Sequence, residues 1–144
     1  MNDEKSLKDS FNSNHSTTKY GESVLQPNEI VTHVILPAPG QRSAGYEVRF
    51  KQSHDWPLAA AAVNLVMSGQ TVKSARLVLG AVAPVPWRSQ AAERVLTGKT
   101  ITEAIAVEAA NAALAGAKPM SGNAYKIQIA KTAVKRAILK AAGA

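Results

Sequence analysis

Leu79-Gly80-Ala81-Val82-Ala83-Pro84-Val85-Pro86-Trp87-Arg88 decides how this 144-residue chain is read. Its apolar start has the character of a buried strand end. Pro84 and Pro86 have no amide hydrogen for a sheet ladder, so the strand must stop near Ala83. The prolines then form a stiff corner that sets Trp87 and Arg88 at the mouth of a helix. That helix is expected over about 88–97, with Gly98 as its terminator.

Working upstream, residues 72–83 form a clear strand pattern in which Ala75, Leu77, Leu79 and Ala81 share a face. Residues 58–67 carry enough alanine for a short helix. Ser68-Gly69-Gln70, however, reads as a hairpin loop, which makes 58–67 the partner strand. Residues 46–52 alternate, with Tyr46, Val48 and Phe50 on one side and Glu47, Arg49 and Lys51 on the other. The β-branched run at 30–36, Ile-Val-Thr-His-Val-Ile-Leu, is expected to be a further strand stopped by Pro37, with a loop over 37–43.

Downstream, Thr100-Ile101-Thr102-Glu103 matches a capping box, in which Thr100 and Glu103 satisfy the orphan amides of a second helix. Its apolar stripe is Ile101, Ile105, Ala109, Ala112 and Ala113, and Gly116 ends it. A last helix is expected over 124–141 with Asn123 as N-cap. Its stripe is Ile127, Ala130, Val134, Ala137, Ile138 and Ala141. Four strands followed by three helices predict an α+β fold: a four-stranded antiparallel sheet with three helices on one face. Residues 1–23 are polar and predict a flexible tail, because they cannot offset their ordering entropy by burial. The folded domain is expected over 24–142.

Composition excludes several functions. The chain has no cysteine, so disulfides, iron–sulfur clusters and thiol catalysis are excluded within it. The start, Met1-Asn2-Asp3-Glu4-Lys5, is no secretory signal, and the apolar run 58–63 is too short to cross a bilayer, so a cytoplasmic protein is expected. His15, His33 and His54 lack metal-ligand spacing, and no metal site is expected. His54 and Asp55 would point to opposite faces of an extended chain, so Asp55 is expected to cap the turn before Pro57 rather than act as a base. Ser53 has no oxyanion motif beside it. Neither a dinucleotide fingerprint nor a P-loop is present, and Pro39-Gly40 reads as an ordinary loop. No residue is expected to be catalytic in this chain alone.

The net charge is +7, and no acidic residue follows Glu108. Lys118, Lys126, Lys131, Lys135, Arg136 and Lys140 read first as a solvated helix face with cations toward a helix C-terminus. Trp56 and Trp87 each sit beside a proline at a strand end, where a large side chain is expected to close the core. Burying Trp87 fully would make its truncation cost about 3–5 kcal/mol. The alternative is that both are stacking platforms. The row Glu47, Arg49 and Lys51 is either a soluble strand face or a surface turned toward a partner and its anionic cofactor.

Several stretches together resemble the flavoprotein (medium) subunits of molybdenum hydroxylases, the family of carbon monoxide dehydrogenase and xanthine-dehydrogenase-like enzymes. Gly80 to Arg88 is similar to the G-x-V-A-P-x-P-W-R signature near the C-terminus of those subunits. Val24-Leu25-Gln26-Pro27-Asn28-Glu29-Ile30 resembles an L-x-P-x-E-I-I lead-in, continued by Leu36-Pro37-Ala38-Pro39. Arg49, Lys51, Ser53 and Asp55-Trp56-Pro57-Leu58-Ala59 resemble an R-x-[RK]-x-S-x-D-[FW]-x-[LV]-[AV] segment. Ala92-Glu93, Ala115-Gly116-Ala117-Lys118-Pro119, Asn123-Ala124-Tyr125-Lys126 and Arg136-Ala137 complete the series, in the same order.

The resemblance implies the α+β C-terminal domain of an FAD subunit. Such a domain covers the flavin and contacts neighbouring subunits in an electron-transfer oxidoreductase complex, and is not catalytic alone. It implies FAD as the family's cofactor, gripped by preceding subdomains with glycine-rich phosphate loops. No such loop stands in this sequence, so no cofactor is expected to bind this chain alone. It implies FAD-binding subdomains, or molybdenum and iron–sulfur subunits, as partners. It also marks Glu47, Arg49 and Lys51 as a flavin-facing row. The family's usual lysine eight positions before the aspartate is Glu47 here. A carboxylate there would disfavour an anionic reduced ring, with Arg49 and Lys51 supplying compensating charge. Two other readings stay open. One is a free-standing protein-interaction module that uses the sheet face or the last helix, which is also compatible with a homo-oligomer. The other is a basic nucleic-acid binder acting through Lys131 and Lys135, although no groove-reading motif accompanies them.

Overall fold

Ala59, Ala61, Val63 and Leu65 alternate with Ala60, Ala62, Asn64 and Val66, and only the first set is buried. That period of two is why an alanine-rich run becomes a strand and not a helix. The computed structural model describes residues 28–33, 41–52 and 54–143. The chain divides into two units, residues 1–38 and 39–144.

Of the first unit, 28–33 are described. They form a turn at Asn28 followed by irregular chain, with Ile30 and Val31 exposed. Thr32 Oγ1 and His33 Nδ1 lie 2.9 Å apart. The strand expected over 30–36 is therefore not formed at 30–33, where no ladder partner stands among the described residues. Residues 34–36, most of the expected 37–43 loop and the expected 1–23 tail lie outside the described residues.

The second unit holds β1 (Arg42–Val48), β2 (Ala59–Ser68), β3 (Thr71–Gly80) and β4 (Trp87–Arg88), antiparallel in the order β1-β2-β3-β4. Three helices follow: α1 (Gln90–Leu96), α2 (Glu103–Leu114) and α3 (Tyr125–Ala142). The α+β expectation stands, but the fourth strand is Trp87–Arg88 and not 30–36. After the corner the chain doubles back, Trp87 pairs with Leu79 and Arg88 with Val78. The Ser89 amide then donates to Leu77 O at 2.9 Å.

Register builds the core. Tyr46, Ala61 and Leu79 lie side by side across β1, β2 and β3, as do Ala44, Val63 and Leu77. Large side chains thus face small ones, which is how a sheet face fills without voids. Gly69-Gln70 closes the β2–β3 hairpin, with Gly69 at φ +60° where a glycine is unstrained. Helix α3 lies on β1 and β2, α1 lies on β3, and α2 bridges the two helices. Ala106, Ala109, Ala110, Ala130, Ala133 and Ala137 are buried and let these layers approach closely. Leu65, Leu77, Leu79, Leu96 and Ile138 supply the bulk.

The helix caps differ from expectation in two places. Thr102, not Thr100, caps α2, its hydroxyl accepting from the Ile105 amide at 3.3 Å. Thr100 is instead bridged to Thr71, and Glu103 reaches Lys135. Asn123 does not cap α3 with its side chain. Its Oδ1 accepts from the Met120 amide at 2.7 Å, because the preceding turn competes for it. Helix α1 is capped by Ser89, whose hydroxyl accepts from the Ala92 amide. Gly98 ends that segment at φ +79°, as expected.

Four expected core positions lie outside the core. Phe50 is 81% exposed because β1 ends at Val48 and the alternation does not continue. Ala81 is exposed at φ +58°, where the backbone leaves the strand. Trp56 and Trp87 do not close the core: they are 90% and 54% exposed.

Candidate functional site

Among the described residues, the helices cover one face of the sheet and leave the other open. On the open face, Glu47 lies opposite Ala60, and Ala60 opposite Gly80. Gly45 lies opposite Ala62, and Ala62 opposite Val78. The result is a floor of glycine and alanine, with Val78 among them, beneath a cavity of about 780 Å³. Gly80 adds to its flatness, and a Cβ there would rest in contact with the Ala60 Cβ at 3.4 Å. Glu47, Arg49, Phe50 and Lys51 wall the cavity on one side, and Pro86 stands at the corner.

The structure brings together all three residues of the expected row, although not on one strand. Glu47 is in β1, while Arg49 and Lys51 follow it in the 49–57 loop. Arg49 Nη2 donates to Glu47 Oε2 in an ion pair, so the acidic and the first basic group of the row partly neutralise each other. Asp55 organises the loop as expected. Its Oδ2 accepts from the Phe50 amide at 3.1 Å and the Lys51 amide at 3.0 Å. The Leu58 amide donates to Val48 O at 2.7 Å and closes the loop where β1 and β2 meet. His54 takes the left-handed conformation, φ +51°, at its tip. With Asp55 spent on backbone amides, no His54–Asp55 dyad forms.

The corner beside this cavity is fixed by contacts the sequence did not reveal. Glu93 is 7% exposed. It accepts from Arg88 through both carboxylate oxygens, each at 2.8 Å, and from the Leu77 amide at 3.1 Å. Arg76 adds a weaker ionic contact at 3.6 Å. Paired and fully hydrogen-bonded, the carboxylate ties α1 to β3 and β4. The available signal was an arginine just before a helix and an acid in its first turn, which is too common to single out. Lys126 Nζ donates to Ala81 O at 3.0 Å and holds the turn that leaves β3. A second cavity of about 430 Å³ lies between Trp87, Val82 and the end of α2 at Leu114.

The basic stretch of α3 is partly committed to the fold. Lys135 bonds Glu103 at 2.5 Å and holds the Glu103 carboxyl below the ordinary glutamate range, by hydrogen bond first and charge second. Arg136 lies 5.1 Å from the Tyr46 ring centre and donates to its hydroxyl. Among the described residues no three histidine, aspartate or glutamate side chains group as a metal site. No helix among them is long and apolar enough to cross a membrane. His15, Pro39, Gly40 and Ser53 lie outside the described residues.

Comparison with known proteins adds three findings. A family model, the CO dehydrogenase flavoprotein C-terminal domain, matches residues 44–141. The chain is 35% identical over 121 residues to the carbon monoxide dehydrogenase medium chain of Hydrogenophaga pseudoflava, covering 81% of this chain and 42% of that one. It is 30% identical over 127 residues to the FAD-binding subunit of an aldehyde oxidoreductase of Escherichia coli K12, covering 86% and 36%. Among solved structures it matches quinoline 2-oxidoreductase of Pseudomonas putida 86 with a TM-score of 0.69 at 33% identity, over 75% of this chain and 39% of that one. Carbon monoxide dehydrogenase of Hydrogenophaga pseudoflava matches with a TM-score of 0.66 at 37% identity, over 72% and 37%. The chain thus spans less than half the length of these relatives.

Proposed function

Because the chain belongs to the CO dehydrogenase flavoprotein C-terminal domain family, we propose that it covers the flavin of a molybdenum-hydroxylase FAD subunit, without catalysing turnover by itself. The observation that carries this reading is the open sheet face. Gly45, Ala60, Ala62 and Gly80, with Val78 beside them, make a floor of mostly small side chains, and a charged row stands along one wall. Such a floor suits the face of a planar ring and excludes water from it. It does not suit a pyrophosphate: the sequence has no glycine-rich phosphate loop.

FAD, when bound in the assembled subunit, supplies the electron-carrying chemistry. This chain's part is positional. Arg49 and Lys51 set positive potential at the wall, and Glu47 tempers it through its pair with Arg49. The partners on this reading are the FAD-binding portion of the subunit and the molybdenum and iron–sulfur subunits of the complex.

The test is FAD titration followed by flavin fluorescence and calorimetry. The lone chain should show no micromolar affinity. Added to the FAD-loaded, flavin-binding portion of a relative's medium chain, it should slow flavin loss. Micromolar binding by the lone chain, or flavin loss at an unchanged rate, would refute the covering role.

A further inference from the structure

We infer that the second cavity, between the proline corner and the C-terminal end of α2, is a binding site for a small, neutral aromatic molecule that stacks on Trp87. The site goes beyond the covering role and does not depend on it. Pro86 borders the cavity on the open sheet face, whereas Val82, Ala83 and Trp87 border this one.

The space arises from side-chain size. Ala91 of α1 and Ala112 and Ala113 of α2 bring only methyl groups to its wall, and Trp87 stays 54% exposed instead of filling the gap. Its volume, about 430 Å³, lies within the roughly 300–1,000 Å³ of small-molecule sites. At the end of α2 a Cβ on Gly116 would meet nothing within 4 Å, so the space continues there.

The corner wall is held in place. The Ser89 amide donates to Leu77 O at 2.9 Å, and Arg88 is fixed by its two bonds to Glu93. At the other end of the corner, Lys126 Nζ donates to Ala81 O at 3.0 Å. Ala81 itself sits at φ +58°, a left-handed conformation that alanine adopts only where its surroundings impose it. A wall fixed at both ends is pre-organised, so a ligand meets little ordering cost on entry.

The lining sets the class of ligand. Leu79, Val82 and Leu114 are apolar, and Trp87 offers an aromatic ring. Of the polar residues, Arg88 is neutralised by Glu93, and the Ser89 hydroxyl accepts from the Ala92 amide. Gln90 makes no side-chain hydrogen bond among the described residues. An ion would find no uncompensated countercharge here, which favours a neutral molecule. A planar ring pairs with Trp87 by offset stacking. One donor or acceptor on the ring edge is matched by the Gln90 amide.

The experiment titrates the full chain, labelled with nitrogen-15, with indole and follows amide and tryptophan side-chain NMR signals. Indole should bind with a Kd below about 1 mM and shift the Trp87 side-chain N–H and the Ala113 and Gly116 amides. The Trp56 side-chain N–H, assigned with Trp56→Phe, should stay in place. Trp87→Leu should weaken binding about fivefold or more. Gly116→Leu places a side chain in the open space without a backbone clash and should weaken it about tenfold or more. Because Gly116 has room for a Cβ, that variant keeps the fold and decides the matter even if Trp87→Leu does not fold. Indole-3-acetate, the charged counterpart, should bind more weakly than indole. Absence of shifts at millimolar indole, shifts confined to residues of the first cavity, or undiminished binding by Gly116→Leu would overturn the site. Equal affinity for indole-3-acetate would overturn the neutral class of ligand.

Discussion

Removing the Glu93 carboxylate tests whether the corner is held by charge or by packing. Glu93 is nearly buried, and its oxygens accept from Arg88 Nε and Nη2 and from the Leu77 amide. In Glu93→Ala the Leu77 amide loses its partner inside the sheet, a penalty of about 1–3 kcal/mol. Arg88 and Arg76 are partly exposed and can rehydrate, so the full 3–5 kcal/mol of a broken buried pair does not apply. Lost packing of the side-chain methylenes adds about 1 kcal/mol. The expected total is about 2–4 kcal/mol. Glu93→Gln keeps an acceptor for Leu77 and the shape of the side chain, and should cost about half as much. Denaturant unfolding followed by circular dichroism measures both. For a domain of about 100 residues, a loss of 3 kcal/mol lowers the melting temperature by on the order of 12–20 °C. An alanine variant within about 0.5 kcal/mol of the parent would refute the claim that this carboxylate rivets α1 to the sheet.

Trp56→Ala should change stability by less than about 0.5 kcal/mol, and Trp87→Ala, half exposed, by about 1–2 kcal/mol, as unfolding curves will show. Ala81→Gly should stabilise the chain by roughly 0.5 kcal/mol, because left-handed strain at φ +58° outweighs the extra freedom glycine gives the unfolded state; an equal loss would contradict this. Glu103 titrates below its ordinary range when folded, so its pair with Lys135 contributes stability above the unfolded value that is lost as pH falls through the lowered one. Carboxyl NMR titration should place it back in the ordinary range in Lys135→Met.

The hairpin of β2 and β3, the three helices and the corner were legible because each announces itself locally, through alternation, an alanine stripe or a pair of prolines. Gly69 and Gly98 punctuate the chain where positive φ is needed. What the sequence concealed depends on three-dimensional competition. Residues 30–33 have strand composition but no strand partner among the described residues, while the two residues Trp87–Arg88 have β3 within reach. A β-branched run declares a propensity, and a ladder needs a neighbour. Thr100 has the right spacing for a cap, but its backbone is bridged to Thr71 and the helix begins two residues later, behind Thr102. The row Glu47, Arg49 and Lys51 was found by alternation, and the structure gathers it through a loop instead. The exposure of Trp56 and Trp87 was missed because a proline-flanked tryptophan reads alike whether it plugs a core or faces outward.

The short return at Trp87–Arg88 also shapes how this unit meets other chains. On its far side, β3 is bonded to Trp87–Arg88 and Ser89 near one end and to Gly98 and Lys99 near the other, through Val72. That flank is thus largely sealed against lateral strand addition. The opposite flank, β1, carries Arg42 and Glu47, and ionised side chains deter a second copy from zipping alongside. The sheet can therefore present a bare, water-shedding plate without inviting the fibrous stacking that such plates usually risk.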